Sequence, residues 1–232
     1  MRRIQIGEIP VEVVLKNIRN VHLSVYPPKG RVRISAPISS KLDNLRLYAI
    51  SRLGWIKKQR NRILGQERGT PRSFVRRESH YLWGKRYLLD ISEGRSPQGV
   101  KVSHGEIHLR VPPRAIRIKR AAILEAWRRG ELKRELPEVV SRWSKRLGVS
   151  PRNVFVQKMR TQWGSCNHQT KNIRLNTELT KKPRQYLDYA VLHEMVHLLK
   201  PTHNQEFIRI LDAQMPMWRE FKKGLNQLPV VS

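Results

Sequence analysis

The sequence predicts an α+β fold, with a β-rich amino-terminal region over residues 1–113 and a second domain over residues 114–232. Apolar and polar residues alternate repeatedly in the first half, as half-buried strands require. Apolar residues recur at helical spacing through much of the second half. Pro112 and Pro113 punctuate the chain between the two halves. In the second domain we expect helices to pack on a small antiparallel or mixed sheet.

The amino-terminal region contains several strand patterns joined by turns. Val11, Val13 and Leu15 are apolar at alternate positions and predict one strand. Residues 21–36 predict a hairpin, because the alternation continues on both sides of a Pro-Pro-Lys-Gly turn. Further strands are expected over residues 81–91, with Gly84 at a tight bend, and over residues 100–111.

This region also contains the pattern of a single helix. Apolar residues recur at helical spacing over residues 42–64. Ser40 and Asp43 resemble a capping box at its start, and Gly65 follows as a stop signal. The polar residues 66–79 predict a loop.

The second domain begins with a basic helical stretch over residues 115–147, with a break expected between Gly130 and Pro137. Two strands are predicted at residues 153–157 and 171–179. The second strand is expected to border a cleft and to pair with an extended ligand chain. Helices are then predicted over residues 183–200 and 204–213. The sequence shows no internal repeat.

The composition is strongly basic, with 47 Lys and Arg against 18 Asp and Glu, a formal net charge of +29. The excess is +14 in residues 1–77 and +10 in residues 114–160, but only +1 in residues 78–113 and +4 in residues 161–232. Such a charge favours polyanions, above all nucleic acid, although a ribosome or an anionic lipid surface would also fit. The candidate contacts for sequence-independent nucleic-acid binding are Lys57, Lys58, Arg76 and Arg77.

Several classes of protein are disfavoured. Cys166 is the single cysteine, so an intrachain disulfide is excluded and a disulfide-stapled secreted design is not expected. No apolar run approaches the roughly 20 residues that span a bilayer, and the basic start of the chain lacks the apolar stretch of a signal peptide. We therefore expect a protein of the reducing cytoplasm without a membrane partner.

A possible metal site lies in the helix predicted over residues 183–200. His193 and His197 are four residues apart, so both imidazoles lie on one helix face and can share a metal ion. Glu194 lies about 100° round the helix, where a carboxylate can reach a metal-bound water without being a ligand. His203 follows a break at a proline and can supply a third imidazole. Three imidazoles and one water suit a catalytic Zn²⁺, whereas a structural site would need a fourth protein ligand from Glu206 or Cys166.

A distinctive combination of motifs accompanies the histidines: the Met159–Cys166 and Asn172–Asn176 stretches, Tyr189, the His193–His197 motif, His203 and Phe207. In these residues the chain resembles the YgjP-like zinc metallopeptidases and, more loosely, the SprT-like zinc proteases. The resemblance implies a zincin-like catalytic domain over residues 114–232, with His193, His197 and His203 as zinc ligands and Glu194 as catalytic base. Small departures from the family pattern occur at Met195, Thr202 and Ile208.

Further residues near these motifs can serve the site, and most of them also have a purely structural interpretation. Tyr189 lies on the metal face of its helix and can orient a ligand. Trp163 can line the cleft or pack in the core. Asn176 and Arg160 can stabilise an oxyanion or hold a loop by hydrogen bonds. Cys166 can act as a redox gate on the metal or be a small buried residue.

The sequence therefore predicts a zinc-dependent metallopeptidase that hydrolyses protein or peptide substrates through a metal-activated water, near nucleic acid. The alternative is a nucleic-acid-binding module with a structural or vestigial zinc site. A third possibility is a zinc hydrolase that acts on a small amide.

Overall fold

The structure is a computed structural model that describes residues 2–26, 29–64, 72–159 and 161–227. The chain forms two units, Met1–Glu67 and Arg68–Ser232. The sequence analysis instead placed the division between residues 113 and 114. The difference arises because the strands between residues 79 and 111 share a core with the long helix that follows them.

The first unit contains a four-stranded sheet in the order β1-β2-β4-β3. The central pair, β2 and β4, is parallel, and the two outer pairs are antiparallel. The predicted hairpin is confirmed as β3 and β4, and the predicted strand over residues 11–15 lies within β2. The strands are β1 (Arg2–Ile6), β2 (Ile9–Lys16), β3 (His22–Tyr26) and β4 (Arg31–Pro37).

Two helices, α1 (Leu42–Ser51) and α2 (Leu53–Leu64), follow this sheet. The prediction of one continuous helix is wrong, because the backbone leaves the helical conformation at Arg52. The predicted capping box does not form either: Lys41 is the N-cap residue, without a side-chain capping bond. Gly65 lies outside the described residues. The helices bury Leu45, Ala49 and Ile56 with the apolar face of the sheet.

The second unit begins with another four-stranded sheet, in the order β5-β6-β8-β7. Here too the central pair is parallel and the outer pairs are antiparallel. The predicted bend at Gly84 separates β5 from β6, and Gly84 has a positive φ of 81°. The strands are β5 (Ser79–Leu82), β6 (Lys85–Glu93), β7 (Gly99–Ser103) and β8 (Glu106–Val111).

Helix α3 (Arg117–Leu147) packs on this sheet and continues through 31 residues without interruption. The predicted break is therefore wrong, although Pro137 does lie inside the helix. Pro137 is exposed, so water can satisfy the carbonyl that the proline leaves without an amide donor. Leu132 and Trp143 on the opposite side are buried and hold both halves of the helix in the core.

A small mixed sheet in the order β10-β11-β9 follows α3. Strand β11 pairs in parallel with β9 and antiparallel with β10. The predicted strand over residues 171–179 ends at residue 176, where the Asn176 side chain accepts from the Glu178 amide and begins a 3-10 helix. Strand β10 was not predicted. The strands are β9 (Asn153–Gln157), β10 (Gly164–Asn167) and β11 (Asn172–Asn176).

The last helices are α4 (Arg184–Leu199), α5 (Gln205–Gln214) and α6 (Trp218–Gln227). Helix α4 packs on β10 and β11, which confirms the expected helix on a small mixed sheet. The α+β fold class is also confirmed. Within the described ranges, no helix is both long and apolar enough to cross a membrane.

Candidate metal centre

Helix α4 presents the two histidines of the predicted motif on one face. His193 and His197 are only partly buried, with ring centroids 5.0 Å apart. Val191, Leu192 and Met195 on other faces of the helix are fully buried. This core fixes the rotation of α4, so the two imidazoles emerge together at the edge of the core.

His203 joins this pair after α4 ends. The backbone becomes extended at Lys200, and the chain turns back before α5. Asn204 caps α5 by accepting from the Phe207 amide at 2.9 Å, which fixes the residue next to His203. The Nε2 atoms of His203 and His193 are 3.1 Å apart. The structure thus brings together all three histidines that the sequence predicted as metal ligands.

The donor set fits a tetrahedral zinc ion. One nitrogen from each histidine lies within 4.8 Å of the other two. Zn–N bonds of about 2.1 Å in a tetrahedron separate two ligand nitrogens by about 3.4 Å, close to the distance between the His193 and His203 nitrogens. The His197 Nδ1 lies 3.3 Å from the Lys200 carbonyl oxygen, and donation to this oxygen leaves Nε2 free to bind a metal.

The electrostatic environment keeps the imidazoles neutral, as metal ligation requires. Burial, aided by the neighbouring histidines, lowers the pKa of His193 to about 3. Burial also lowers the pKa of His197 and that of His203. The buried ring of Phe207 lies 4.7 to 5.1 Å from the three imidazole centroids and forms an apolar base under them.

Glu194 is the buried carboxyl of the site, with 6% of its surface exposed. Burial raises the pKa of Glu194 to about 8 in the metal-free site, and the positive charge of a bound metal ion would favour its carboxylate form. The backbone of Gly164 in β10 lies directly against this side chain, since a Cβ on Gly164 would lie 2.6 Å from Oε1 of Glu194. Sequence analysis included Gly164 only as part of a motif and missed this contact, because a glycine in an unpredicted strand carries no signal of its partner.

Tyr189 lies one turn before His193 on the same helix. Its hydroxyl is 3.5 Å from Nδ1 of His193, and its ring stacks on Trp218. The tyrosine is buried, and burial together with the Glu194 carboxylate raises the pKa of its hydroxyl. A neutral hydroxyl held in this way can orient the His193 ring.

Asn176 organises the loop that leads to β10. Its amide nitrogen donates to the carbonyls of Met159 and Gln162, at 2.9 and 2.8 Å. Its amide oxygen accepts from the Met159 and Glu178 backbone amides. Because both amide hydrogens are engaged, the geometry favours the loop-holding interpretation over the oxyanion one. Arg160 lies outside the described residues.

Trp163 and Cys166 flank Gly164 in the same segment. The Trp163 indole donates to the Leu225 carbonyl at 3.1 Å and packs against the core. Burial and the nearby Glu194 carboxylate raise the pKa of the Cys166 thiol to about 11. A protonated thiol is a poor metal ligand, so this environment favours the structural interpretation of Cys166.

The central position of β11 overturns one expectation about substrate binding. In the three-stranded sheet of the described residues, β11 pairs on both sides. It therefore has no free edge to which an extended chain could add, and the expectation for residues 171–179 is wrong. Strand β10, which packs against α4, is an edge of this sheet.

The predicted nucleic-acid contacts lie in both units. Lys57 and Lys58 are exposed on α2 in the first unit. In the second unit, the Arg76 guanidinium is bound to Asp90 at 3.0 Å, while Arg77 is exposed. Three of the four cations are therefore without a described ion pair, and Arg76 is partly neutralised.

Three imidazoles, and a buried carboxyl on the helix that carries two of them, are the side chains that a metal-dependent hydrolase centre requires. Residues 19–228 match the family described as YgjP-like, metallopeptidase domain, and the chain belongs to this family of peptidases. A search among curated proteins found no significant match.

Two archaeal structures are similar to parts of the chain. The metallopeptidase zymogen abylysin of Pyrococcus abyssi matches at 17% identity and a TM-score of 0.36, over 38% of this chain and 90% of its own. The metallopeptidase zymogen jannalysin of Methanocaldococcus jannaschii matches at 21% identity and the same TM-score of 0.36, over 40% of this chain and 95% of its own.

Proposed function

We propose that the protein is a zinc-dependent peptidase, in which His193, His197 and His203 hold the ion and Glu194 moves the proton. The observation that carries this proposal is the group of three neutral imidazoles within 4.8 Å beside a buried carboxyl on the same helix. When bound, zinc supplies a Lewis acid that polarises a scissile carbonyl and makes a water nucleophilic near neutral pH.

Other groups of this chain transfer the proton and hold the reacting side chains in position. The Glu194 carboxylate accepts the proton of the attacking water and delivers it to the leaving amine. The Gly164 backbone limits the positions that this carboxylate can take. Tyr189 and the Lys200 carbonyl orient His193 and His197 through their Nδ1 atoms.

Strand β10 is the best-placed binding edge for an extended substrate. It is an edge strand of its sheet, and it includes the glycine that contacts Glu194. Backbone hydrogen bonds to such an edge bind a peptide without regard to most of its side chains. We therefore expect the substrate to be an extended protein segment or peptide.

The test of this function is the Glu194→Gln variant. The amide cannot accept a proton, so peptidase activity should fall by at least about 100-fold. Zinc content, measured by atomic spectroscopy, should remain near one ion per chain. Parental cleavage rates in this variant would exclude Glu194 as the general base. Absence of cleavage by both proteins, on denatured and on DNA-bound substrates, would favour a binding module with a vestigial site.

We also propose that the peptidase acts close to nucleic acid. The net charge of +29 supports this, as does the placement of Lys57 and Lys58 on an exposed part of α2. Trp55 precedes these lysines and keeps 43% of its surface exposed. An exposed aromatic ring among lysines suits sequence-independent contact with unpaired bases and phosphates.

A further inference from the structure

A cavity that none of the three histidines lines lies in the Arg68–Ser232 unit. Its volume is about 500 Å³. Its walls come from the start of α3, from the segment that precedes β5, and from the 3-10 helix after β11. The size is that of a site for a small organic ligand.

The lining of the cavity is strongly basic. Two glutamates, Glu125 and Glu178, are also present, but both are already engaged. Glu125 accepts from the Thr177 hydroxyl at 2.5 Å, and Glu178 pairs with Lys181. Five cations against two carboxylates leave the lining with a net charge of +3. The five cations are Arg72, Arg117, Arg128, Lys158 and Lys181.

Arg128 is the most deeply placed of these cations, with 5% of its surface exposed. Its guanidinium lies 3.3 Å from Nδ1 of His80, a neutral partner. Within the part of the chain that the structure describes, its buried Nε has no hydrogen-bond partner. Because this Nε is shielded, Arg128 contributes positive charge to the lining rather than a free donor, and Glu125 and Glu178 offset part of that charge.

Lys181 is a further buried cation of the lining. Burial above all, together with the nearby Arg128 and Lys158, lowers the pKa of Lys181 to about 8 against the effect of Glu178. An oxyanion in the cavity would offset this repulsion. The cavity therefore combines a buried guanidinium with several neighbouring cations.

The cavity is also lined by apolar side chains. These are Phe74 and Ile118 together with two alanines of α3. A ligand that matches both kinds of side chain carries an oxyanion and a flat or apolar group. Arginine and lysine together suit phosphate oxygens, and an aromatic ring suits a base.

We propose that this cavity binds a phosphate monoester attached to a nucleobase-sized group, as in a nucleoside monophosphate or the phosphorylated end of a nucleic-acid strand. The exposed Arg117 guanidinium and Lys158 ammonium contact the phosphate. Arg128 and Lys181 add positive charge to the lining, and Phe74 and Ile118 contact the ring. The proposal does not rest on the peptidase function, because the cavity contains none of the metal ligands.

The test is calorimetric titration of the zinc-loaded full chain with adenosine 5′-monophosphate, in about 0.15 M salt to screen the general basic surface. Arg117 and Lys158 are exposed at the rim, so the double variant Arg117→Gln, Lys158→Gln should fold. We expect saturable binding of one ligand per chain, weakened about ten-fold or more in this variant. Lys133→Gln, an exposed change on α3 outside the cavity, is the matched control and should leave the affinity unchanged.

Competition identifies the source of the phosphate. Displacement of the nucleotide by a 5′-phosphorylated oligonucleotide, but not by its 5′-hydroxyl counterpart, assigns the site to a strand end. Displacement by neither assigns it to the free nucleotide. Three results would overturn the proposal: equal displacement by both oligonucleotides, equal affinity for unphosphorylated adenosine, or an affinity that the double variant leaves unchanged. Zinc content in all variants should equal that of the parent.

Discussion

At the scale of single residues, the contact between Gly164 and Glu194 makes a sharp prediction. Because an added Cβ would lie 2.6 Å from the carboxylate oxygen, Gly164→Ala must displace either Glu194 or β10. A misplacement of about 1 Å in a catalytic group costs about 100-fold in rate, and overpacking costs about 1–3 kcal/mol of unfolding free energy. Peptidase assays and thermal unfolding measure both effects.

The matched control for this prediction is Gly99→Ala. Gly99 is also a strand glycine, in β7, but a Cβ added there meets nothing within 4 Å. If Gly164→Ala cleaves substrate as fast as Gly99→Ala, the backbone of Gly164 does not position Glu194. Zinc content should be unaffected in both variants, since neither glycine belongs to the donor set.

His203 is the most exposed of the three imidazoles, and its removal tests the metal site. We expect His203→Ala to weaken zinc binding more than about 100-fold, a larger loss than the removal of a group that only orients a ligand. Competition with a fluorescent chelator measures this affinity. His22→Ala, on an exposed strand residue of the other unit, is the control and should bind zinc like the parent.

Full zinc retention in His203→Ala would remove His203 from the donor set. Glu206 is then a weak replacement, because its carboxylate pairs with Lys200 in the structure. Loss of zinc in the variant would instead support the three-histidine site directly.

The histidine pair could be predicted from the sequence, whereas the contact between Gly164 and Glu194 could not. Spacing along one helix fixes which side chains share a face, so His193 and His197 follow from the sequence alone. The contact between Gly164 and Glu194 joins residues 30 positions apart in different elements. No local sequence pattern predicts this contact. The role of Asn176 likewise depends on its hydrogen-bond partners, which the sequence does not specify.

At the scale of the elements, the two four-stranded sheets have the same topology although the sequence shows no repeat. Each has two antiparallel pairs joined through a central parallel pair. The hairpin of β3 and β4 was predictable because its turn chemistry is local. The parallel pairs β2–β4 and β6–β8 were not, since they join strands that are distant along the chain. The division between the two units differs from the predicted one because β6 and β8 share a core with α3, a contact that no local pattern contains.

The buried contact between His80 in β5 and Arg128 in α3 makes the free energy of unfolding depend on pH. His80 is 2% exposed and contacts Glu78 and Arg128. Burial and the Arg128 charge lower its pKa from 6.5 to about 4, against the effect of Glu78, and Arg72 adds to the lowering. The unfolded chain therefore binds more protons than the folded one between these values, and stability falls as the pH falls through this range.

The variant His80→Gln tests this prediction, because glutamine retains a donor and an acceptor but does not titrate. Between pH 6.5 and about 4, the parent should lose up to about 3 kcal/mol more unfolding free energy than the variant. Urea unfolding of the zinc-loaded proteins at a series of pH values measures the difference. An identical pH dependence in parent and variant would contradict a neutral His80 in the folded state.

Across the whole molecule, the uneven charge predicts that different segments bind nucleic acid and peptide. Residues 1–77 have a net charge of +14, whereas residues 161–232, which contain the metal centre, have +4. Phosphate contacts need lysine and arginine, but a peptide-binding edge does not. Nucleic-acid binding should therefore be indifferent to sequence, and its log–log dependence on salt should have a slope of about −0.7 to −0.9 per phosphate contacted.

Charge reversal at Lys57, Lys58 and Arg77 tests this division, and Arg76 is left unchanged because it pairs with Asp90. The salt slope of the triple variant should become shallower by about 2–3, since up to three phosphate contacts are lost. Reversal of Arg209 and Lys223, exposed cations near the carboxyl end, is the control and should leave the slope unchanged.

The triple variant should also cleave DNA-bound proteins more slowly while it cleaves free peptides at the parental rate, because only the local concentration of substrate is reduced. Unchanged binding in the triple variant, or no binding even at low salt, would separate the basic charge from nucleic acid and leave the peptidase proposal intact.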